Sequence, residues 1–315
     1  MAGWPNLSDL LSTSHVDAPV GLLGAPLAAG SVTPGSCDEA PALLRQTSRR
    51  IGLYDINSRR ELSTAVLDRG DVEIAGLSIE AATGAITEAV RSSVEAHALT
   101  FVIGGNNAVT RPAVHGLATA LSLPLDRIGL ITLDAHFDMR DLDQGLSNGN
   151  PVRALIEDGL PGASIAQIGL APWANTCAMH EAAEAAGNLV ITAAQVRELG
   201  AHGAVGHALG RLDHLDAIVL DCDIDVIDRS QFPAAPGGRP DGLMAHEFFE
   251  AARMLAAHPK VRVIDLTEWD PPLDPTDLSA LTAARWLAEC LAGFEMRRAP
   301  SSDVADRASP RRPSG

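Results

Sequence analysis

Short apolar runs alternate along this 315-residue chain with longer segments in which apolar residues recur every three to four positions. Short runs of this kind are typical of buried β-strands, and the longer period is typical of amphipathic helices. Because the two patterns alternate, they predict a mainly parallel, doubly wound sheet with helices on both faces. The predicted strands are 20–23, 65–67, 100–103, 128–133, 165–169, 217–220 and 261–266.

The helical patterns complete a single three-layer α/β/α domain. We predict helices at 39–49, 79–97, 109–121, 152–158, 246–258 and 278–294, with two further helical stretches between 170 and 216. No composition shift marks a linker inside the core, so we expect one catalytic domain over 18–295, preceded by an N-terminal segment, 1–17. The last residues, 296–315, are rich in Ser, Pro, Arg and Asp and predict a disordered tail.

Two of the predicted strands run directly into clusters of acidic residues. The run 128–133 leads to Asp134, His136 and Asp138, and the run 217–220 leads to Asp223 and Asp225. Side chains two apart share one side of an extended chain, and ligands of open α/β sheets gather beyond the carboxyl ends of the strands. Carboxylates crowded at low dielectric repel one another, so the pattern predicts a bound cation. Oxygen donors with one imidazole suit Mn²⁺ better than structural zinc.

Each motif alone also has a structural interpretation. A polar loop after a strand would explain the 134–138 motif, and a turn or helix cap would explain Asp223 and Asp225. For Asp228 an Asx-turn or cap is at least as good an interpretation as metal binding.

Composition excludes several classes of partner. The net charge of −16 argues against nucleic acid and against anionic membranes. Four cysteines without CxxC spacing favour neither disulfides nor a thiolate zinc site. The first residues lack the pattern of a signal peptide, and no apolar stretch is long enough to span a membrane. We therefore expect a cytoplasmic protein.

From about residue 20 to 294 the chain resembles the ureohydrolase superfamily of arginase, agmatinase and formimidoylglutamase. The 134–138 motif is similar to that family's most specific signature, and the segment 223–228 followed by 233–237 resembles another. The Gly104–Asn107 stretch resembles the family's Gly-Gly-Asp-His element, and Glu268 stands where a substrate-side glutamate is found. The resemblance implies an arginase-like fold and trimers or hexamers.

The resemblance also implies two Mn²⁺ ions. Asp134 and Asp223 would bridge both ions, Asp138 would bind one, and His136 with Asp225 would bind the other. Asn107 stands where the family has a histidine ligand. An amide oxygen is a weaker donor than imidazole, so we expect this ion to bind less tightly or to be absent. The alternative is that Asn107 only caps the following helix.

Asn148 occupies the position of a histidine that arginases and agmatinases use beside the guanidino group. Its loop looks more like that of formimidoylglutamases, which implies hydrolysis of N-formimidoyl-L-glutamate to L-glutamate and formamide, a step of histidine metabolism. In that reaction a hydroxide between the ions attacks the imidoyl carbon, Asp138 passes a proton to the leaving amine, and Glu268 balances the substrate's positive charge.

Four residues are candidates for binding this small-molecule substrate: Arg140, Asn148, Asn150 and Asn175. Arg140 suits a carboxylate, although a salt bridge to Asp141 or Asp143 is an equal alternative. Asn175 could instead hold a turn. Two other functions stay open. One is hydrolysis of agmatine or another guanidino compound, and the other is a catalytically silent binding protein, which the changes at Asn107 and Asn148 motivate.

Overall fold

Nine parallel strands form one sheet in the computed structural model, which describes residues 4–297. The strands are, in chain order, β1 (Leu11–Ser12), β2 (Val20–Ala25), β3 (Tyr54–Asp55), β4 (Arg60–Glu61), β5 (Val66–Asp71), β6 (Leu99–Gly104), β7 (Ile128–Leu133), β8 (Ile165–Leu170), β9 (Leu189–Thr192), β10 (Ala217–Asp223) and β11 (Val261–Thr267). The sheet order is β1-β5-β2-β6-β11-β10-β7-β8-β9, and β3 with β4 forms a separate antiparallel hairpin.

Helices cover both faces of the sheet. They are α1 (Ala40–Thr47), α2 (Ile79–Ala96), α3 (Thr110–Leu121), α4 (Pro151–Glu157), α5 (Cys177–Ala186), α6 (Ala193–Arg211), α7 (Ala245–Ala257) and α8 (Leu278–Met296). Leu44, Phe248 and Trp286 belong to the apolar cluster on one face, and Ile86 and Val114 belong to the cluster on the other. The predicted three-layer α/β/α architecture is therefore confirmed. Within residues 4–297, no helix has both the length and the apolar character that a membrane crossing needs.

The structure differs from the sequence-based prediction mainly at edges and ends. The edge strands β1 and β9 and the β3–β4 hairpin were not predicted, and β10 and β11 extend past the expected ends at 220 and 266. Part of the N-terminal segment belongs to the fold, because Leu7 is buried and β1 pairs with β5.

The boundary of the predicted disordered tail also changes. Helix α8 includes Met296, and Arg297 donates hydrogen bonds to Ala256 O and Val261 O at 2.7 and 2.8 Å. The ordered domain thus reaches at least Arg297. The rest of the predicted tail lies outside the described residues.

The four strands that carry the acidic motifs and the Gly-Gly-Asn-Asn stretch are neighbours. Strands β6, β11, β10 and β7 pair in this order, all parallel, so their carboxyl ends meet at one edge of the sheet. Immediately beyond β6, Gly105 passes so close to Leu27 that a Cβ atom would collide with the Leu27 backbone. The approach of these two loops therefore requires glycine at position 105.

Two glycine substitutions are expected to change stability in opposite directions. We expect Gly105→Ala to lower the free energy of unfolding by about 1–3 kcal/mol, because the added methyl group overpacks the Leu27 contact. Gly84→Ala in α2 meets no atom within 4 Å and is expected to raise it by about 0.5–1 kcal/mol through helix propensity. Urea denaturation of the two variants checks this. An unchanged midpoint for Gly105→Ala would contradict the close approach.

Candidate active site

Buried polar residues follow each of the four central strands. Asn107 follows β6, the 134–138 loop follows β7, Asp225 follows β10, and Glu268 follows β11, while Asp223 is the last residue of β10 itself. The Asp223 side chain accepts a hydrogen bond from Asp225 N at 3.0 Å, which turns the chain at once into a short 3₁₀ helix. Strand ends and tight turns thus place these side chains in one crevice.

His136 is the centre of a compact group of ligand atoms. Its Nδ1 lies 2.9 Å from Asp225 Oδ2 and 3.5 Å from Asp134 Oδ1. Within residues 4–297, the atoms that these three residues offer lie within 4.8 Å of one another. The second oxygen of Asp134 is buried and has no hydrogen-bond partner. A buried carboxylate oxygen without a donor, beside an imidazole and a second carboxylate, fits a divalent cation.

The electrostatics of the crevice also fit a cation. Burial raises the pKa of Asp134 to about 6, and burial with the nearby charge of Asp225 raises the pKa of Asp223 well above its ordinary range. The charge of Asp225 raises the pKa of His136 to about 12. Despite its burial, Asp225 has a lowered pKa, because His136 lies beside it. Proton uptake by the carboxyl groups, the positive charge of His136 and a bound cation each relieve this crowding.

Asn107 contacts Asp138 through its amide nitrogen. Nδ2 donates to Asp138 Oδ2 at 2.6 Å, while Oδ1 accepts hydrogen bonds from the hydroxyl groups of Thr110 and Thr267 at 2.7 and 3.1 Å. In this arrangement the amide nitrogen of Asn107 faces Asp138 and its oxygen faces Thr110 and Thr267. Metal binding by Asn107 stays a prediction. The predicted capping role differs from the structure, because the side chain that caps the following turn is that of Asn106.

Asp138 and Glu268 face the same crevice in unusual backbone conformations. Their φ angles are +52° and +59°, a left-handed region that costs energy for residues other than glycine. Glu268 Oε1 accepts hydrogen bonds from Asn107 N and Asn148 Nδ2, both at 2.8 Å. Burial raises the pKa of Glu268 to about 7 and also raises that of Asp138, whose main charged neighbour is Asp134. The surrounding contacts maintain these strained conformations, which place both carboxyl groups in the crevice.

The crevice opens into a cavity that is lined by Asp138, Asp223, Asp225 and Glu268. Three of the four predicted substrate-binding residues, Arg140, Asn148 and Asn175, line it. Arg140 has no ion pair with Asp141 or Asp143. Asn175 holds the 134–138 loop as well, since it accepts from Phe137 N and donates to Ala135 O, both at 2.9 Å.

Asn150 lies outside the cavity lining. Its side chain is 2% exposed, accepts a hydrogen bond from Ser147 N, and donates to the carbonyl oxygens of Asp141 and Gly145. These bonds use both N–H donors of the amide, and Asn150 shapes the loop that carries Asn148. Pro151 and Val152, which follow it and begin α4, are buried as well.

Three residues that line the cavity were not predicted from the sequence. Val32 and Thr33, from the loop after β2, line the cavity, and so does Arg239. Asp221 and Asp265 are fully buried, in register on β10 and β11. Burial raises the pKa of Asp265 to about 7, and burial with the charge of Asp265 raises that of Asp221. Their alternate spacing with the other acids was a usable signal, whereas nothing in the local sequence marks Arg239.

A parallel α/β/α fold with a buried acid and imidazole cluster at the carboxyl ends of its central strands defines a class of metal-dependent hydrolases. Comparison with known proteins agrees. Residues 18–293 match the model of the Arginase family, and the chain belongs to that family. It is 28% identical over 299 residues to the formimidoylglutamase of Bacillus subtilis, with 92% of each chain covered.

Solved structures share the fold of this chain. The crystal structure of that Bacillus subtilis formimidoylglutamase superposes with a TM-score of 0.87 at 27% identity, covering 94% of each chain. The structure of Trypanosoma cruzi formiminoglutamase with Mn²⁺ superposes with a TM-score of 0.86 at 24% identity, over 94% of this chain and all of that one. The predicted membership of the family and the arginase-like fold are confirmed.

Proposed function

We propose that this protein is a metal-dependent hydrolase that converts N-formimidoyl-L-glutamate and water into L-glutamate and formamide. The observation that carries the proposal is the contact between Asn148 and Glu268 at the cavity floor. Asn148 orients Glu268, but its amide cannot shuttle a proton as a histidine would. The site therefore offers the carboxylate of Glu268 to a cationic amidine and has no second imidazole beside it. His136, the histidine that lines the cavity within residues 4–297, is already committed to Asp134 and Asp225. The formimidoylglutamase relatives support the same substrate.

The residues present fit a divalent ion, and we propose Mn²⁺ because the donors are carboxylate oxygens and one imidazole. Asp134, His136, Asp225 and Asp223 would hold the better site, since the first three already converge. Bound ions would supply a water molecule of lowered pKa as the nucleophile. A second ion beside Asp138 must compete with the Asn107 amide, which already bonds that carboxylate. This favours a second site of lower affinity.

The protein's own residues account for the remaining steps. Glu268 lies where its carboxylate can pair with the positive amidine, and its bonds to Asn107 N and Asn148 Nδ2 fix its orientation. Asp138, whose raised pKa favours proton uptake, would accept the proton of the attacking water and deliver it to the leaving amine. Asn175 keeps the 134–138 loop in place while the charge of the substrate changes.

Metal titration and a substrate panel test the proposal. We expect calorimetry with Mn²⁺ to resolve one tight and one weaker site, and the loaded protein to release formamide and glutamate from N-formimidoyl-L-glutamate. Arginine, agmatine and guanidinobutyrate serve as the comparison substrates. We expect at least about tenfold lower kcat/KM for them, because their larger guanidino group lacks an imidazole partner.

Each alternative function has its own outcome in the same assay. Urea release from a guanidino compound without formamide release would overturn the proposal in favour of a guanidino hydrolase. No turnover of any substrate by protein that carries two ions would favour the silent binding protein. Assembly into trimers or hexamers stays a prediction of the family resemblance, and sedimentation of the same sample would measure it.

A further inference from the structure

Gln167 is a fully buried amide in the middle of strand β8. It pairs in register with Thr132 of β7, two residues before the 134–138 loop begins. Strands of a parallel sheet are mostly apolar, and glutamine is usually exposed, so a buried glutamine at this place needs a reason. Its Nε2 donates a hydrogen bond to Phe137 O at 3.0 Å, inside the active-site loop. The amide therefore connects the sheet to that loop.

Asn188 fixes the direction of the Gln167 amide. The carbonyl oxygen of Phe137 can only accept a hydrogen bond, so Nε2 of Gln167 must face it and Oε1 must face away. Asn188 Nδ2 donates to that Oε1 at 2.9 Å. Asn188 itself is held just before β9, where its backbone N donates to Ala183 O of α5 at 3.0 Å. A directed chain of hydrogen bonds thus runs from the end of α5 to the active-site loop.

The Phe137 carbonyl group matters because the next residue, Asp138, has a φ of +52°. The φ and ψ angles of Asp138 set the angle between the peptide planes before and after its Cα atom. The first plane carries Phe137 O, which Gln167 holds, and the second carries Asp138 O, which accepts from Arg153 N at 3.1 Å. Because both planes are held, neither peptide can rotate to relieve the left-handed conformation.

The other contacts of this segment act on different groups. Asn175 Oδ1 accepts from Phe137 N, which belongs to the preceding peptide, and Asn107 Nδ2 donates to the side chain of Asp138. Among residues 4–297, the side chain that holds the Phe137–Asp138 peptide is that of Gln167. Its role is therefore separate from the roles of Asn107 and Asn175.

We propose that Gln167 is a positioning residue that keeps Asp138 in its strained conformation and so directs its carboxyl group into the crevice. The inference rests on the proposed function, in which Asp138 lies beside the weaker ion and carries a proton. Without the bond to Phe137 O, the peptide can turn, and Asp138 relaxes to a conformation of lower energy. Its carboxyl group then leaves the place where the second ion and the substrate need it, while the tight metal site keeps its ligands.

Gln167→Met tests the inference, because methionine keeps the length of the side chain and removes both hydrogen bonds. In calorimetry with Mn²⁺ we expect the weaker site to lose about tenfold in affinity or more, and the tight site to change less than about threefold. With N-formimidoyl-L-glutamate we expect kcat to fall roughly 10- to 100-fold and KM to change less than about threefold. Asn188→Ala, which removes only the bond that directs the amide, should have smaller effects on the same quantities.

Ser93→Ala is the matched control for the loss of a buried hydrogen bond. Ser93 Oγ lies 2.9 Å from Thr100 Oγ1, near the start of β6 and thus at the end of the sheet opposite the site. This variant should lower the melting temperature but leave both metal affinities and kcat at the wild-type level. If Gln167→Met weakens both metal sites equally, Gln167 only stabilises the fold and the inference is wrong.

Crystal structures make the test independent of turnover. We expect the φ angle of Asp138 to be near +52° in the wild type and outside the left-handed region in Gln167→Met. A left-handed Asp138 in the variant would overturn the inference, and so would an unchanged affinity of the weaker site. If the wild-type protein releases no formamide, the proposed function fails, and the φ angle of Asp138 in the variant still decides whether Gln167 positions it.

Discussion

Asp223→Asn is expected to lower kcat/KM by about 10³-fold or more and to abolish tight metal binding, yet to raise the melting temperature of the metal-free protein. Asp223 lies at the end of β10, where burial and the charges of Asp225 and Asp134 raise its pKa. Without bound ions the attacking water has its ordinary pKa, which accounts for the loss of activity. The side-chain amide of the substituted asparagine can still accept the hydrogen bond from Asp225 N. The substitution also removes one of the carboxylate charges that repel one another in the crevice.

The pH dependence of the metal-free protein gives this prediction a second readout. The pKa values of Asp134 and Glu268 are raised to about 6 and about 7 in the folded state. A carboxyl group with a raised folded pKa contributes its full stability below the unfolded pKa, near pH 4, and loses it as the pH rises through the folded value. Metal-free wild type should therefore lose stability between about pH 4 and pH 7, and the advantage of Asp223→Asn should be larger at pH 8 than at pH 5.

Asp228→Asn is the matched control, because Asp228 belongs to the same motif but not to the crowded cluster. Its carboxylate accepts hydrogen bonds from Ser230 N and Asp241 N at 2.8 and 2.7 Å, and contacts with Ser230 hold its pKa below the usual range. In the metal-free protein, Asp228→Asn should lower the melting temperature, whereas Asp223→Asn should raise it. Differential scanning fluorimetry with and without Mn²⁺ measures both. A metal-free Asp223→Asn protein that melts below wild type would contradict the repulsion argument.

Glu268→Gln is expected to lower kcat/KM by roughly 10²- to 10³-fold while metal content stays at the wild-type level. The amide oxygen can still accept the bonds from Asn107 N and Asn148 Nδ2, but it no longer balances the positive charge of an amidine. Steady-state kinetics and elemental analysis of the same preparation separate the two effects.

Glu250→Gln, an exposed position on α7, controls for the change in net charge and should keep full activity. Loss of the metal ions in Glu268→Gln would assign Glu268 to the metal site. A change in kcat/KM of less than about threefold would show that Glu268 takes no part in the reaction, because the loss of a charge contact in a buried site lowers kcat/KM by more than this.

The central part of the fold could be predicted because its strands are buried on both faces and appear in the sequence as uninterrupted apolar runs, as in β7. The edge strands could not. Strand β1 has two residues and β9 has four, and most of their side chains are only half-buried, so neither produces a strong apolar run. Boundaries near the site were misplaced for a related reason: β10 continues through Asp221 and Asp223, acidic residues that normally end a strand.

The candidate site also has a part that could be predicted from the sequence and a part that could not. Asp134 and His136 lie on one side of the chain because alternation is a local rule. Asp225 joins them because two apolar runs that each lead to an acidic motif predict parallel strands whose carboxyl ends share one edge. The orientation of the Asn107 amide depends on Thr110 and on Thr267, the latter 160 residues away in the chain. The position of Arg239 depends on how its loop packs against Asp225 and His136 through Gly237. Such long-range contacts follow from the assembled fold, and no spacing in the sequence encodes them.

The order of the central strands also determines when this site can exist during synthesis. Strands β6 and β7 emerge early but are not neighbours, because β11 and β10 lie between them. A ribosome-bound chain that ends before residue 217 has both strands and the 134–138 loop, but two unpaired inner edges where the middle of the sheet belongs. The ligands from β10 and the glutamate after β11 arrive last, when these edges close. Tight metal binding therefore requires a chain that extends past β10, and before that point the inner edges of β6 and β7 lack their partner strands.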